Sequence, residues 1–324
     1  MVESDNKIKA IGGYFELELR CGQEYHKNAL HLNTARNCLE YIILARNYTK
    51  IYIPYYTCEV ILQPLLKHNI DYEFYHINVN FEPVKLPSLK ESEGFLYTNY
   101  FGLKQGCVEK LSSVYGNQLI VDNSQSFFSP RIDGIDTFYS ARKFFGVPDG
   151  AYLYTDSKLE VVLEQDKSYM RMQHLMQRID ESAEKAYILF RQNDDSLDNQ
   201  PIKLMSKLTE RILKDVDYQN VKNRRVENFQ YLHKALSNTN IINLELHQYF
   251  VPMVYPYLTN DTNIRKRLIE NKVFVAKYWP NVLEWCNEDS LEYRFTESIL
   301  PIPIDQRYNF NDMNIILKLV ENKV

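Results

Sequence analysis

Between about residues 30 and 155 the chain alternates short β-rich runs with helical periods, a pattern that predicts a parallel α/β sheet. The predicted strands fall at residues 50–53, 71–77, 94–98, 118–122, 136–139 and 151–154. Pro54 stops the first of them, because proline cannot donate to a ladder. Asn33-Thr34 read as a helix cap, and Leu39, Ile42 and Ile43 follow at spacings that place them on one helical face. Residues 59–68 read as a second helix despite Pro64. Segment 140–150 lies between two strands and is therefore a loop, of the kind where open α/β sheets bind ligands.

Further along, residues 158–193 read as helical and strongly charged, and residues 193–201 as a polar linker or mobile loop. A helix at 221–236, a strand at 249–255, a helix at 263–271, a strand at 298–302 and a helix at 311–321 then make a compact α+β unit. The predicted organisation is a large α/β domain over 1–217, including the helical linker region, and a smaller α+β domain over 218–324.

The bulk numbers narrow this picture. At 324 residues the chain exceeds one typical core, which agrees with two domains. A net charge of -4 gives no basic footprint for a phosphate backbone, so nucleic acid is excluded as an expected partner. The longest apolar runs, such as 41–45 and 299–304, fall far short of the roughly 18 to 20 residues that span a bilayer. The first residues show neither a basic nor an apolar signal region, so the expectation is a cytoplasmic protein with no membrane partner. Five cysteines, odd in number and without CxxC spacing, argue against a disulfide framework or a zinc site. All ten glycines lie between Gly12 and Gly150, so tight turns and close approach to a ligand are expected in the first half.

The chemistry concentrates in two stretches. Ile120-Val121-Asp122-Asn123-Ser124-Gln125 ends a hydrophobic strand with an acid, and twenty-one residues after Asp122 stands Lys143, followed by Asp149-Gly150. Taken singly, each has a plain reading: a solvated lysine, a turn aspartate, a helix cap at Asn33-Thr34 and strand aromatics at Tyr55 and Tyr56. In order, they resemble the DegT/StrS family of sugar aminotransferases, whose pattern is a strand-end Asp, Gln or His three residues on, then Lys before an acid-Gly-Gly turn. Leu32-Asn33-Thr34-Ala35-Arg36 resembles the family's Gly-Thr-Ser-Ala helix start, and residues 51–57 resemble its strand ending in Pro and aromatics. Asn223-Arg224-Arg225 and residues 300–304 also match.

The resemblance implies a pyridoxal-phosphate-dependent transferase of the aspartate-aminotransferase fold, fold type I, with a mostly parallel central sheet. It implies that Lys143 condenses with the cofactor aldehyde and later moves a proton, and that Asp122 keeps the ring nitrogen protonated. Gln125 is implied to orient the ring or its hydroxyl, and Tyr55 or Tyr56 to stack on a ring face. For the phosphate it implies the helix start at Asn33, Thr34, Ala35 and Arg36, with a hydroxyl from Ser140. Asn199, in the polar stretch before Pro201, falls where the family often reaches a neighbouring subunit's phosphate, which makes a homodimer the expected assembly. By default that stretch is a solvated loop, and Arg224 and Arg225 a solvated helical face.

The sequence also departs from the family. Phe138 stands where a serine is usual five residues before the lysine, and Ser140 has the spacing of the wider aspartate-aminotransferase fold. Asn33 replaces a glycine, Ala151 replaces the second glycine after Asp149, and Cys58 stands where an aromatic is expected after Thr57. The leading reading is transamination of a keto sugar, nucleotide-linked and destined for a surface polysaccharide, with glutamate as amino donor. The lysine favours this over the family's dehydratases, where His replaces it. Two alternatives stay open: another pyridoxal-phosphate reaction on a non-sugar substrate, and a degenerate member serving as a partner protein.

Overall fold

The computed structural model describes residues 11–244, 246 and 250–322. Its centre is a seven-stranded sheet formed by β1 (Leu30–Leu32), β2 (Lys50–Pro54), β3 (Asp71–Tyr75), β4 (Glu93–Thr98), β5 (Leu119–Asn123), β6 (Asp136–Ser140) and β7 (Ala151–Tyr154). The order across the sheet is β1-β7-β6-β5-β4-β2-β3. Strands β3, β2, β4, β5 and β6 run parallel, and β7 is antiparallel to both its neighbours. The parallel α/β expectation therefore holds, with β1 added at one edge. Three residues of Leu-His-Leu carry too short a pattern to announce that strand.

Helix α1 (Ala35–Arg46) follows β1. Thr34 caps it, its hydroxyl accepting from the Asn37 amide at 3.2 Å, and left-handed Asn47 ends it. Its inward residues Leu39, Ile42 and Ile43 are buried to within 1 % and seal one sheet face, each contributing roughly 1.5–3 kcal/mol. Helix α2 (Leu62–Lys67) packs beside α1 after a single 3-10 turn at Glu59–Ile61, which splits the single helix expected at 59–68. Helix α3 (Gln105–Tyr115) covers the other face, where Val108, Leu111 and Tyr115 join Phe95, Leu119 and Val121.

Beyond the sheet come α4 (Gln173–Asp180), α5 (Ala183–Asp195), α6 (Lys207–Asp215) and α7 (Tyr218–Leu236). The continuous helix expected over 158–193 is thus corrected to an irregular stretch and a helical hairpin, since the Glu164 carbonyl and the Asp166 amide bond the backbone of Leu204 instead of a helical ladder. A two-stranded antiparallel sheet of β8 (Val254–Leu258) and β9 (Ile299–Pro303) packs with α7, α8 (Asn263–Glu270), α9 (Val282–Trp285), α10 (Leu291–Ser298) and α11 (Phe310–Val320). The strand expected at 249–255 begins only at Val254, and Tyr249 lies outside the described residues. One apolar core runs from the α3 face of the large sheet into these C-terminal elements. Among the described residues no helix is long and apolar enough to cross a membrane.

Candidate functional site

Strand periodicity decides what gathers at the carboxyl edge of the parallel strands. In β5, Leu119 and Val121 face the α3 side whereas Ile120 joins the α1 core, so Asp122 shares the α1 face. By the same alternation Phe138 places Ser140 there, and Leu96 places Thr98 there. The register sets Thr98 beside Asp122, and both Leu32 and Ser140 pair with Ala151. The start of α1, two residues past Leu32, therefore lies at the same edge. Strands β2 and β4 part in opposite directions beside it, which is the kind of switch point where doubly wound sheets bind ligands.

Asp122 is 7 % exposed, and its Oδ1 accepts from the Ser124 amide at 2.7 Å while Thr98 Oγ1 lies 3.5 Å from Oδ2. Among the described residues no cation pairs with it. Its charge reaches α1, where burial, with Asp122 adding, pushes the Cys38 thiol well up. Gln125 is fully buried; its Oε1 accepts from the amide of Phe101 at 2.8 Å, and its Nε2 finds no acceptor. That amide belongs to a left-handed residue, φ 57°, at the end of β4.

Lys143 stands in the turn between β6 and β7, exposed, with no ion pair or hydrogen bond among the described residues. The turn itself is built rigidly. Ala141 donates to the Gly150 carbonyl at 3.1 Å, and Phe144 and Phe145 both donate to the Ala141 carbonyl. Asp149, fully buried, accepts from the Ser206 amide and hydroxyl at 2.8 Å each and from Thr209 Oγ1, so it fixes the start of α6. Gly150 sits at φ +114°, where a Cβ would lie 2.9 Å from Thr209 Cγ2, so glycine is required there. The acid-Gly pair of the sequence pattern is in this chain a structural staple.

At α1, the Asn37 amide is taken by the Thr34 cap, which leaves the amides of Ala35 and Arg36 as helix-start donors with no intrahelical acceptor. Asn33 is engaged otherwise: its Oδ1 accepts from Thr34 and Lys203, and its Nδ2 donates to the Pro201 carbonyl. The 198–203 stretch lies across this helix start within the same chain. Arg36 pairs with Asp198 and Gln63, Asn37 donates to the Gln200 carbonyl at 3.0 Å, and the exposed Asn199 donates its amide to Gln63. The recess left among Arg36, Gln63, Asn199 and Gln200 is about 10 Å³, room for about one water. Ser140 is 6 % exposed, and its hydroxyl has no hydrogen-bond partner among the described residues.

Two expectations meet different surroundings. The Tyr55 ring stacks on Phe74 and leans on His76, both at 4.6 Å. Tyr56 is wholly buried among Phe81, Tyr100, Trp279 and Phe295. Packing consumes the Tyr56 ring, whereas the Tyr55 ring stays half-buried. The member of that strand-end run linked to Lys143 is Cys58: burial raises its thiol pKa, and the charges of Lys143 and Arg36 oppose that rise. The sequence signal was its place where an aromatic was expected. Arg225 departs from the solvated face expected for it. It is 1 % exposed, whereas Arg224 remains at the surface beside Glu227.

A cavity of about 920 Å³ opens elsewhere, on the Tyr139 and Tyr154 face against α7, and none of Asp122, Gln125 or Lys143 lines it. Size therefore does not select the site; the chemistry of the donor set does. A buried carboxylate lacking a cation, a buried amide donor lacking an acceptor, an unpaired amine and two free helix-start amides are complementary to a protonated ring nitrogen, a ring hydroxyl, an aldehyde and a phosphate. The residues fit pyridoxal phosphate.

No protein-family model and no curated protein matches the sequence. Solved structures do match its fold. A sugar aminotransferase from Streptococcus pneumoniae in its PMP form is 10% identical, with TM-score 0.61 over 91% of this chain and 87% of that one. DesI with its TDP-sugar product is 13% identical, with TM-score 0.60 over 91% and 81%. GDP-4-keto-6-deoxymannose-3-dehydratase with bound GDP-perosamine is 10% identical, with TM-score 0.60 over 90% and 88%. The chain has the type I fold of pyridoxal-phosphate-dependent aminotransferases. Within it, the similarity is to enzymes of the DegT/DnrJ/EryC1/StrS kind.

Proposed function

We propose that this chain is a pyridoxal-phosphate-dependent aminotransferase acting on a keto sugar, nucleotide-linked and used for surface polysaccharide, with glutamate as amino donor. The observation that carries it is the meeting, at one sheet edge, of a buried Asp122 carboxylate without a cation and a Lys143 amine without a partner. When bound, the cofactor supplies an aldehyde that condenses with amines and a ring that accepts the electron pair left by a departing proton. Lys143 Nζ would hold the cofactor and, once released by an incoming amine, would take the proton from the donor's amine-bearing carbon in one half-reaction and deliver a proton to the acceptor's former carbonyl carbon in the other. Asp122 keeps a proton on the ring nitrogen, and Gln125 Nε2 donates to the ring hydroxyl. Ala35, Arg36 and Ser140 hold the phosphate, with Thr34 fixing the helix start and Asn33 fixing the loop across it.

The sugar substrate rests on the relatives, one of which carries a TDP-sugar product. One of the matched enzymes is a dehydratase, and Lys143 is what favours amino transfer in this chain. We assign the cofactor chemistry to residues 1–217 and the smaller domain to 218–324. Five cysteines without a disulfide suit a cytoplasmic enzyme. The exposed apolar side chains Met176, Ile179, Tyr187, Ile188 and Phe190 on α4 and α5 support a homodimer, whereas Asn199 lies against its own chain's helix start and is not assigned to the other subunit. The test is spectroscopic. Protein loaded with pyridoxal phosphate should show a visible band that bleaches with glutamate and returns with a keto sugar; a band indifferent to every amino acid refutes transamination, and no band refutes cofactor binding.

A further inference from the structure

The backbone around Lys143 is gripped from the C-terminal elements. Between residues 142 and 147, among the described residues, the one backbone group bonded from outside the turn is the Phe144 carbonyl, which accepts from Gln306 Nε2 at 2.8 Å. Gln306 is itself directed. Its Oε1 accepts from Arg225 Nε at 3.1 Å, and Arg225 Nη1 donates to the carbonyls of Met253 at 3.0 Å and Pro252 at 3.4 Å. The guanidinium also lies 4.5 Å from the centre of the Phe144 ring. One helical turn on, the fully buried Asn228 donates to the carbonyls of Ile304, Asp305 and Tyr308, which holds the loop carrying Gln306.

Burying a cation against neutral acceptors is costly, and Arg225 has no carboxylate within ion-pair distance among the described residues. Burial lowers its pKa to about 10, with Asp305 opposing, so it stays charged at neutral pH. The cost is accepted where α7 meets the lysine turn. We propose that Gln306, directed by Arg225, is a positioning residue for Lys143, holding the next residue's carbonyl and so setting how the amine is presented. The proposal rests on Lys143 being the cofactor lysine.

The test measures the amine, not turnover. The full-length protein is incubated with pyridoxal phosphate, reduced with borohydride at timed intervals, and the label at Lys143 is quantified by peptide mass spectrometry. Two variants remove the donor: Gln306→Glu keeps an acceptor for Arg225 and adds an ion pair, and Gln306→Met keeps the length without polar atoms. Losing one such hydrogen bond should slow labelling at Lys143 by about threefold to tenfold in both. The melting temperature of Gln306→Glu should stay at or above wild type, which separates a positioning effect from unfolding. A variant that folds and labels at the wild-type rate overturns the proposal. Wild-type protein that takes no label at Lys143 overturns instead the cofactor reading beneath it.

Discussion

Replacing Lys143 by alanine should separate folding from function cleanly. The side chain is exposed, makes no hydrogen bond or ion pair among the described residues and supports no core, so the cofactor-free variant should match wild type within about 0.5 kcal/mol. Cofactor binding adds a second measurement. At a concentration one hundred times its dissociation constant, a ligand stabilises the native state by about 2.7 kcal/mol. At roughly 2 °C per kcal/mol for a chain of this size or somewhat smaller, that raises the wild-type melting temperature by about 5 °C. In Lys143→Ala most of this rise should vanish, because only the contacts at α1, Asp122 and Gln125 remain. The assay is thermal unfolding by circular dichroism with and without pyridoxal phosphate, alongside borohydride trapping. The Cys58 thiol supplies an internal check. The Lys143 charge lowers its pKa against the larger effect of burial, so the variant's thiol should react more slowly with an alkylating reagent at fixed pH. A variant that melts well below wild type without cofactor, or that keeps the full cofactor-induced rise, would refute the assignment.

Asp122→Asn should leave the cofactor-free protein equally stable or slightly more so, since the buried carboxylate has no cation to lose, while turnover falls by roughly a hundredfold or more; equal turnover would remove Asp122 from its role. Asp149→Ala strands a fixed amide and two hydroxyls at the start of α6, at about 1 kcal/mol or more each, so urea unfolding should show a loss of roughly 3 kcal/mol. A loss under 0.5 kcal/mol would contradict the staple. Burial holds the His26 pKa down to about 4, its ring bonded at 2.8 Å to the Phe127 carbonyl, so the folded state binds its proton later than the unfolded state does. Its stabilising contribution is complete above about pH 6.5 and is lost as the pH falls toward 4, by roughly 3 kcal/mol; His26→Phe, measured by urea unfolding across that range, should flatten this limb.

What the sequence could announce follows from what each feature depends on. Buried parallel strands and the α1 stripe are local patterns, and residues 151–154 were placed without error because hydrophobic period and turn residues agree there. The stretch at 158–172 is not legible in this way, because its backbone pairs with Leu204, about forty residues on, and a contact that distant leaves no local pattern. The site divides in the same way. The placement of Asp122, Ser140 and Lys143 at one edge is legible, since strand ends and the loop between β6 and β7 put them there. The partners of Tyr55 and Tyr56 are not, because any aromatic after a strand carries the same signal whether it faces a ring or a core.

Arg225 and Gln306 mark the limit of local reading. An arginine on a polar helix is by default solvated, and nothing between residues 225 and 306 signals that they meet. Their contact spans 81 positions and exists only because α7 and the loop after β9 are packed onto the turn from the same side. A residue whose partners are backbone carbonyls leaves no complementary charge elsewhere in the chain to betray it. Such positions are therefore found by asking which buried polar groups a structure satisfies with main-chain atoms next to a reactive side chain. In this chain that question leads from the buried Arg225 cation through Gln306 to the carbonyl beside Lys143.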